Sequence, residues 1–175
     1  MRKLVFTISL LAAMMFALAA NAAAPPNFAG TWALDKSKSQ NLGRLQNAES
    51  VSWIITQDGK QLTIEQKITG GDMAGGGGGG GRGPGMGGPR SYNLDGSETN
   101  VEMGQGKATR KAEWSKDGSI LELTTKSTFT TPDGERTSTS TDKLQLSGDG
   151  KVLTVNQHRE TPRGPQDATL VFNKQ

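Results

Sequence analysis

Few side chains in this chain can do covalent chemistry. It carries no cysteine and a single histidine, His158, so no thiolate nucleophile is available and no second imidazole or thiolate completes a tetrahedral zinc site. The carboxylates able to move protons are Glu65, Glu113, Glu122, Asp142 and Glu160. Acid–base catalysis needs two such groups in opposed environments, or a nucleophile beside a base. Glu113 and Glu122 are expected to point outward, and Asp142 is expected beside Arg110, where it stays ionised and makes a poor acid. No acidic spacing matches a calcium loop. No catalytic residue, metal or cofactor is therefore assigned, and the chain is not read as an enzyme. The chemistry that remains is recognition, by polar groups set into apolar strands: Arg110, Asp142 and Gln157.

Those groups need elements to hold them, and the chain punctuates itself. Asp-Gly pairs stand at 58–59, 95–96, 117–118, 133–134 and 149–150. Asp-Gly favours two-residue hairpins because both central residues of a type I′ turn take positive φ. Between the pairs lie runs rich in Thr, Val, Ile and Leu, without an apolar repeat of helical period. Ten strands are expected, at 30–36, 50–57, 60–68, 90–95, 97–103, 107–116, 119–131, 135–147, 151–159 and 167–174. The fold class is all-β, an antiparallel up-and-down barrel.

A two-residue turn fixes which residues face each other, and a slip by one residue inverts every side chain. Turns centred on the Asp-Gly pairs set Ile55 opposite Leu62 and Trp53 opposite Ile64. They set Trp114 opposite Leu121, Ala112 opposite Leu123 and Arg110 opposite Thr125. Leu121 then meets Leu146 and Leu153, and Leu123 meets Leu144 and Val155. Pro132 weakens the turn at 133–134, since Pro-Asp-Gly equally suits a longer loop with a bulge. Above the apolar layers this register stacks Arg110, Thr125, Asp142 and Gln157. An Arg110–Asp142 pair there serves either as a structural ion pair or as a contact for something polar.

Chain direction puts the turns at 58, 95, 117 and 149 at the end where Trp32 sits. The other end receives the connections at 37–49, 69–89, 104–106, 132–134 and 160–166, expected to be mostly longer. One closed end and one open, loop-rimmed end is the layout of a small-molecule barrel. An even strand number lets the first and last strands pair antiparallel and close the sheet.

Residues 1–24 read as a signal peptide: basic Arg2 and Lys3, an apolar run from Leu4 to Leu18, and small residues around Ala22 and Ala24 for cleavage. The mature domain, 25–175, is expected to be periplasmic or secreted by a bacterial Sec-type route, without stable membrane insertion. Removing Arg2 and Lys3 from the 20 basic residues leaves 18 against 17 acids, so the formal net charge falls from +3 to +1. Near-neutrality with scattered cations offers no nucleic-acid footprint. Residues 70–90 form a Gly-rich insertion, with seven consecutive glycines at 75–81, expected to be a disordered loop. It contains Gly-x-Gly-x-x-Gly only trivially and lacks the Gly-Lys-Ser/Thr of a phosphate loop.

Gly30-Thr31-Trp32-x-Leu34-Asp35-x-x-Lys38-Ser39, directly after the signal, resembles the opening strand of the lipocalin-like (calycin) superfamily, and more narrowly exported bacterial lipocalin-like proteins of unassigned function. Two features depart from that pattern. The Thr-Asp-Tyr signature is reduced to Thr141-Asp142-Lys143. The arginine that covers the motif tryptophan has no clear counterpart, Lys174 being a poor substitute for a planar guanidinium. The resemblance implies a barrel binding a small apolar or amphipathic ligand. The expected apolar wall is Trp53, Ile64, Leu123 and Leu144, with Arg110, Asp142 and Gln157 as polar contacts. Trp32, Trp114, Leu121 and Leu153 are expected to form the floor. The alternative is a filled barrel serving as an envelope or surface interaction module.

Overall fold

The computed structural model describes residues 25–70, 88–103, 106–132, 134–161 and 164–175. The segment expected to be a signal peptide, the expected cleavage residues Ala22 and Ala24, and the glycine run lie outside the described residues. Ten strands form one antiparallel sheet: β1 (Gly30–Leu34), β2 (Ser50–Gln57), β3 (Gln61–Thr69), β4 (Arg90–Asn93), β5 (Thr99–Met103), β6 (Gly106–Trp114), β7 (Ile120–Thr131), β8 (Gly134–Leu146), β9 (Val152–Thr161) and β10 (Gly164–Lys174). A short 3-10 helix, Gly43–Asn47, lies between β1 and β2. The order across the sheet is β4-β3-β2-β1-β10-β9-β8-β7-β6-β5, so the chain's first and last strands are neighbours at its centre. The sheet curls into a nearly closed barrel whose outer strands, β4 and β5, carry no ladder between them. Tyr92 of β4 reaches across that seam, its hydroxyl 2.9 Å from Thr125 Oγ1 of β7.

Strand alternation puts one face of the sheet inside. Ile55, Leu62, Ile64, Tyr92, Leu121, Leu123, Leu144, Leu153, Val155 and Phe172 are all buried there. Trp53 packs on Phe172 with ring centroids 4.8 Å apart. Glu113 and Glu122 face each other on the outer surface, paired with Lys111 at 2.9 Å and Lys143 at 3.4 Å.

The Gly30-Thr31-Trp32 opening has a physical reason. Gly30 sits at φ +143°, and a Cβ there would lie 3.0 Å from Lys174 Cε. That close approach carries Lys174 Nζ over the Trp32 ring, 5.2 Å from its centroid. The lysine thus fills the position sought for an arginine, as a cation on the ring face. Trp32 is fully buried and its indole N–H donates to the Phe28 carbonyl at 2.8 Å. Phe28 in turn stacks on Trp114 with centroids 6.0 Å apart. Trp32, Leu121 and Leu153 share this cluster and Trp114 packs against it.

Two registers differ from the sequence expectation, each by two residues. In the first hairpin Ile55 faces Ile64 and Gln57 faces Leu62, so Trp53 faces Gln66 and not Ile64. The turn is displaced because Asp58 does not take a central position: its Oδ1 accepts from the backbone N–H groups of Lys60 and Gln61, both at 2.7 Å. In the β7–β8 hairpin Thr131 pairs with Gly134, which sets Leu121 against Leu144 and Leu123 against Asp142. Here Pro132 takes the first central position, where its fixed φ suits a turn, and the pairing slides accordingly. The β6–β7 and β8–β9 registers are as expected, including Arg110 with Thr125, Leu146 with Leu153 and Asp142 with Gln157.

The open end is trimmer than expected. Strands β9 and β10 extend to Thr161 and Gly164, which pair with each other, and Met103 pairs with Gly106. Two-residue steps therefore replace the expected loops at 160–166 and 104–106. At the closed end, the turns at 117 and 149 are four-residue loops. Ser115 N–H donates to the Ile120 carbonyl, and Gly118, at φ +71°, supplies the left-handed residue that closes the loop.

Candidate functional site

The interior changes character along the barrel. Trp114, Leu121, Leu144, Val155 and Leu170 face inward as one cross-strand row. The next row toward the open end is Ala112, Leu123, Asp142, Gln157 and Ala168. The row beyond is Thr99, Arg110, Thr125, Ser140 and Arg159. Above it the inward face carries Val101, Ala108, Ser127 and Ser138, and beyond them Met103, Gly106, Phe129 and Arg136. Apolar bulk thus fills one end, polar groups form a band across the barrel, and short side chains of β6, β7 and β8 stand above it, with Val101, Met103 and Phe129 on the same face.

The two-residue slide of β8 has a chemical consequence. It lowers Asp142 by one row, opposite Leu123 instead of Thr125, and the Arg110–Asp142 ion pair expected from the sequence does not form. Asp142 is 2% exposed; its Oδ1 accepts from Gln157 Nε2 at 3.0 Å, and its Oδ2 lies 3.6 Å from Arg90 Nη1. Arg90 also lies over Trp53, 5.6 Å from the ring centroid. Arg110 is 7% exposed and makes neither a hydrogen bond nor an ion pair among the described residues; its Nε is fully enclosed without a partner. Burial pushes its guanidinium below the ordinary value, Tyr92 opposes that, and the neighbouring Arg90 adds to it.

The structure places all seven expected ligand residues inside the barrel. It brings Asp142 and Gln157 together, seats Leu123 next to Asp142 and Leu144 next to Val155, and leaves Arg110 one row above. Arg90 and Tyr92 belong to the same region and escaped the sequence argument. Arg90 closes the Gly-rich insertion 70–90 and opens the strand expected at 90–95, and it is the first residue of β4. Its parity with Tyr92 was the available signal, since residues two apart on a strand share a face.

Two surface grooves lie elsewhere. One, of about 380 Å³, runs on the outer face beside Gln40, Asn41, Lys143, Asn156, His158 and Asp167, and touches Gln157. His158 Nδ1 is 2.6 Å from Asp167 Oδ1 there, which holds the imidazole pKa above its ordinary value. The other, of about 660 Å³, lies at the β6–β7–β8 tips beside Glu102, Lys107, Thr128 and Glu135. No group of three or more metal-ligating side chains exists among the described residues. No helix among them is long and apolar enough to cross a membrane.

No protein-family model matches the chain, and no curated protein matches it in sequence. Among solved structures it is similar to zebrafish ileal bile acid-binding protein complexed with cholic acid, at 13% identity and a TM-score of 0.47, over 85% of this chain and 98% of that one. The assignment of an antiparallel ten-stranded barrel rests on the strand pairing itself.

Proposed function

We propose that the mature chain is an exported binder of a small amphipathic molecule, held in the upper half of the barrel. The observation that carries this is the change of side-chain size along one continuous interior. Ala108, Ser127, Ser138, Ser140 and Ala168 face the interior above a floor packed with Trp32, Trp114 and Leu153, with Val101, Met103 and Phe129 on the same face nearer the rim. Trp53, Ile64, Leu123 and Leu144 would form the apolar wall at the base of that space, and a polar head would meet Arg110, Asp142 and Gln157. Binding by apolar walls with a few placed polar groups is the usual economy of such sites. No catalytic role is proposed.

The rival reading, a filled barrel acting as an envelope or surface interaction module, is favoured by the position of both grooves on the outer surface. The two part on a titration. Under the first reading, one or more dodecyl compounds of different head group shift tryptophan emission and raise the melting temperature in a saturable way. Under the second, none does, and the proposal is withdrawn.

A further inference from the structure

The buried side-chain donors left without partners among the described residues are Trp53 Nε1, Thr99 Oγ1 and Arg110 Nε. Two of them stand side by side, and Arg90 links the third. Thr99 and Arg110 face each other directly on β5 and β6. Arg90 ties in the third, lying over the Trp53 ring while standing close enough to Arg110 to repel its charge. Indole and guanidinium nitrogens donate and cannot accept. Leaving such a donor buried and unmade costs about 1–3 kcal/mol, and a fold does not gather these by chance in one place. What the group lacks is an acceptor. The charges agree: of the buried band's two cations Asp142 pairs with Arg90, so Arg110 is left without a counter-charge, while Arg159 in the same row is exposed to solvent.

We infer that the polar band is a receptor for a singly charged oxyanion, a carboxylate or sulfate head, held by Arg110 with Trp53 and Thr99 as further donors. Arg90 is held by Asp142 and acts as a positioning residue, fixing the indole from above. Asp142, held in place by the Gln157 amide, keeps the site from carrying two free cations. The head-group assignment rests on the amphipathic-binder reading for its tail, but not for the anion contact itself. It also gives the site a sign: a neutral or cationic head meets only donors and like charge.

Laurate, dodecanol and dodecylammonium share one tail and differ in the head, so their affinities at neutral pH separate head from tail. Laurate is expected to bind at least about tenfold tighter than dodecanol, the worth of a hydrogen bond to a charged group, with dodecylammonium weakest. In Arg110→Met that preference disappears, laurate falling to the affinity of dodecanol or below it. Arg110→Lys, which keeps the charge but loses the fixed fork, retains part of it. The indole N–H resonance of Trp53, assigned with Trp53→Phe, moves downfield when laurate is added to the unaltered protein. Equal binding of laurate and dodecanol overturns the anion receptor and leaves the binder standing. If no dodecyl compound binds, the binder reading fails; acetate, which needs no room for a tail, then tests the anion site alone. A Trp53 resonance unmoved by acetate and laurate alike overturns it.

Discussion

At the closed end Ser115, Asp117 and Ser119 bond to one another, and Ser147 with Asp149 repeats the arrangement, each Asp carboxylate taking hydroxyl or backbone donors at 2.6–3.1 Å. Below those turns Trp32 donates to Phe28, and Phe28 stacks on Trp114. At the other end Arg110 and Trp53 keep buried donors unmade, and Asp142 balances one cation of two. Floor and polar band are built from the same ten strands and differ in what they leave unsatisfied. Stability is concentrated where every group has a partner, and recognition where some do not, the usual opposition between a stable scaffold and a functional site.

The largest expected effect breaks the floor. Trp32→Ala removes a fully buried indole, its hydrogen bond and the ring under Lys174, and should cost about 3–5 kcal/mol in denaturant unfolding. Arg110→Met, with the same measurement, should cost nothing or stabilise the fold, since it removes a buried charge that no acid compensates. A loss at Arg110 equal to that at Trp32 would erase the distinction between the two regions. Asp142→Asn should fall between them, at about 1–3 kcal/mol, because Arg90 is then left without its carboxylate. The same variant should bind laurate more tightly, by calorimetry, as the site gains a second free cation.

Acid should act first on the closed end. The turn carboxylates Asp58, Asp95, Asp117 and Asp149 are held below the ordinary value, Asp58 and Asp95 by hydrogen bonds within their own turns, Asp117 chiefly by Ser115 and Asp149 chiefly by Ser147. Asp35 is held lower still, first by Ser37 and then by Lys38 and Asn173. The unfolded chain binds protons at these groups more readily than the folded one. Their contribution is therefore complete above the ordinary carboxylate pKa and disappears as pH falls through the depressed values. Melting temperature should drop across that window, and less steeply in Asp117→Asn and Asp149→Asn. The smallest effect belongs to His158, whose pKa is raised by Asp167 on the exposed outer face. Its contribution is full below the unfolded imidazole pKa and is lost as pH rises through the higher folded value, so His158→Gln should flatten a slight loss of stability toward alkaline pH.

The strands were legible because Asp-Gly and the Thr- and Val-rich runs mark a meander by local chemistry alone. The β6–β7 register that sets Trp114 against Leu121 was legible too, although Phe28, which stacks on Trp114, lay outside any strand pattern. The polar band was only half visible. One turn, Thr131 to Gly134, admitted two registers, and apolar matching favoured Leu123 with Leu144 over the observed Leu123 with Asp142. Hydrophobic pairing could not weigh the pull of Arg90 on Asp142, because that contact crosses the barrel interior and joins strands that are not neighbours. The orphan state of Arg110 followed from the same slide of two residues.

Strands β1 and β10 are paired through Trp32 and Lys174, with Gln175 N–H donating to the Thr31 carbonyl at 2.9 Å, while β4 and β5, consecutive in the chain, form the seam. The covalent chain is thus continuous where the hydrogen-bonded sheet is interrupted, and the sheet is continuous between β1 and β10, the two strands farthest apart in sequence. A circular permutant joined by a short linker from Gln175 to the segment before Gly30, and opened between Gly96 and Ser97, would run from β5 through β10 and then β1 to β4. Every sheet neighbour would then be a sequence neighbour. Folding rates rise as contacts become local, and nearby termini make such rewiring tolerable. The rewired chain should reach the same barrel sooner, with its only break in connectivity placed at the seam the native sheet already leaves open.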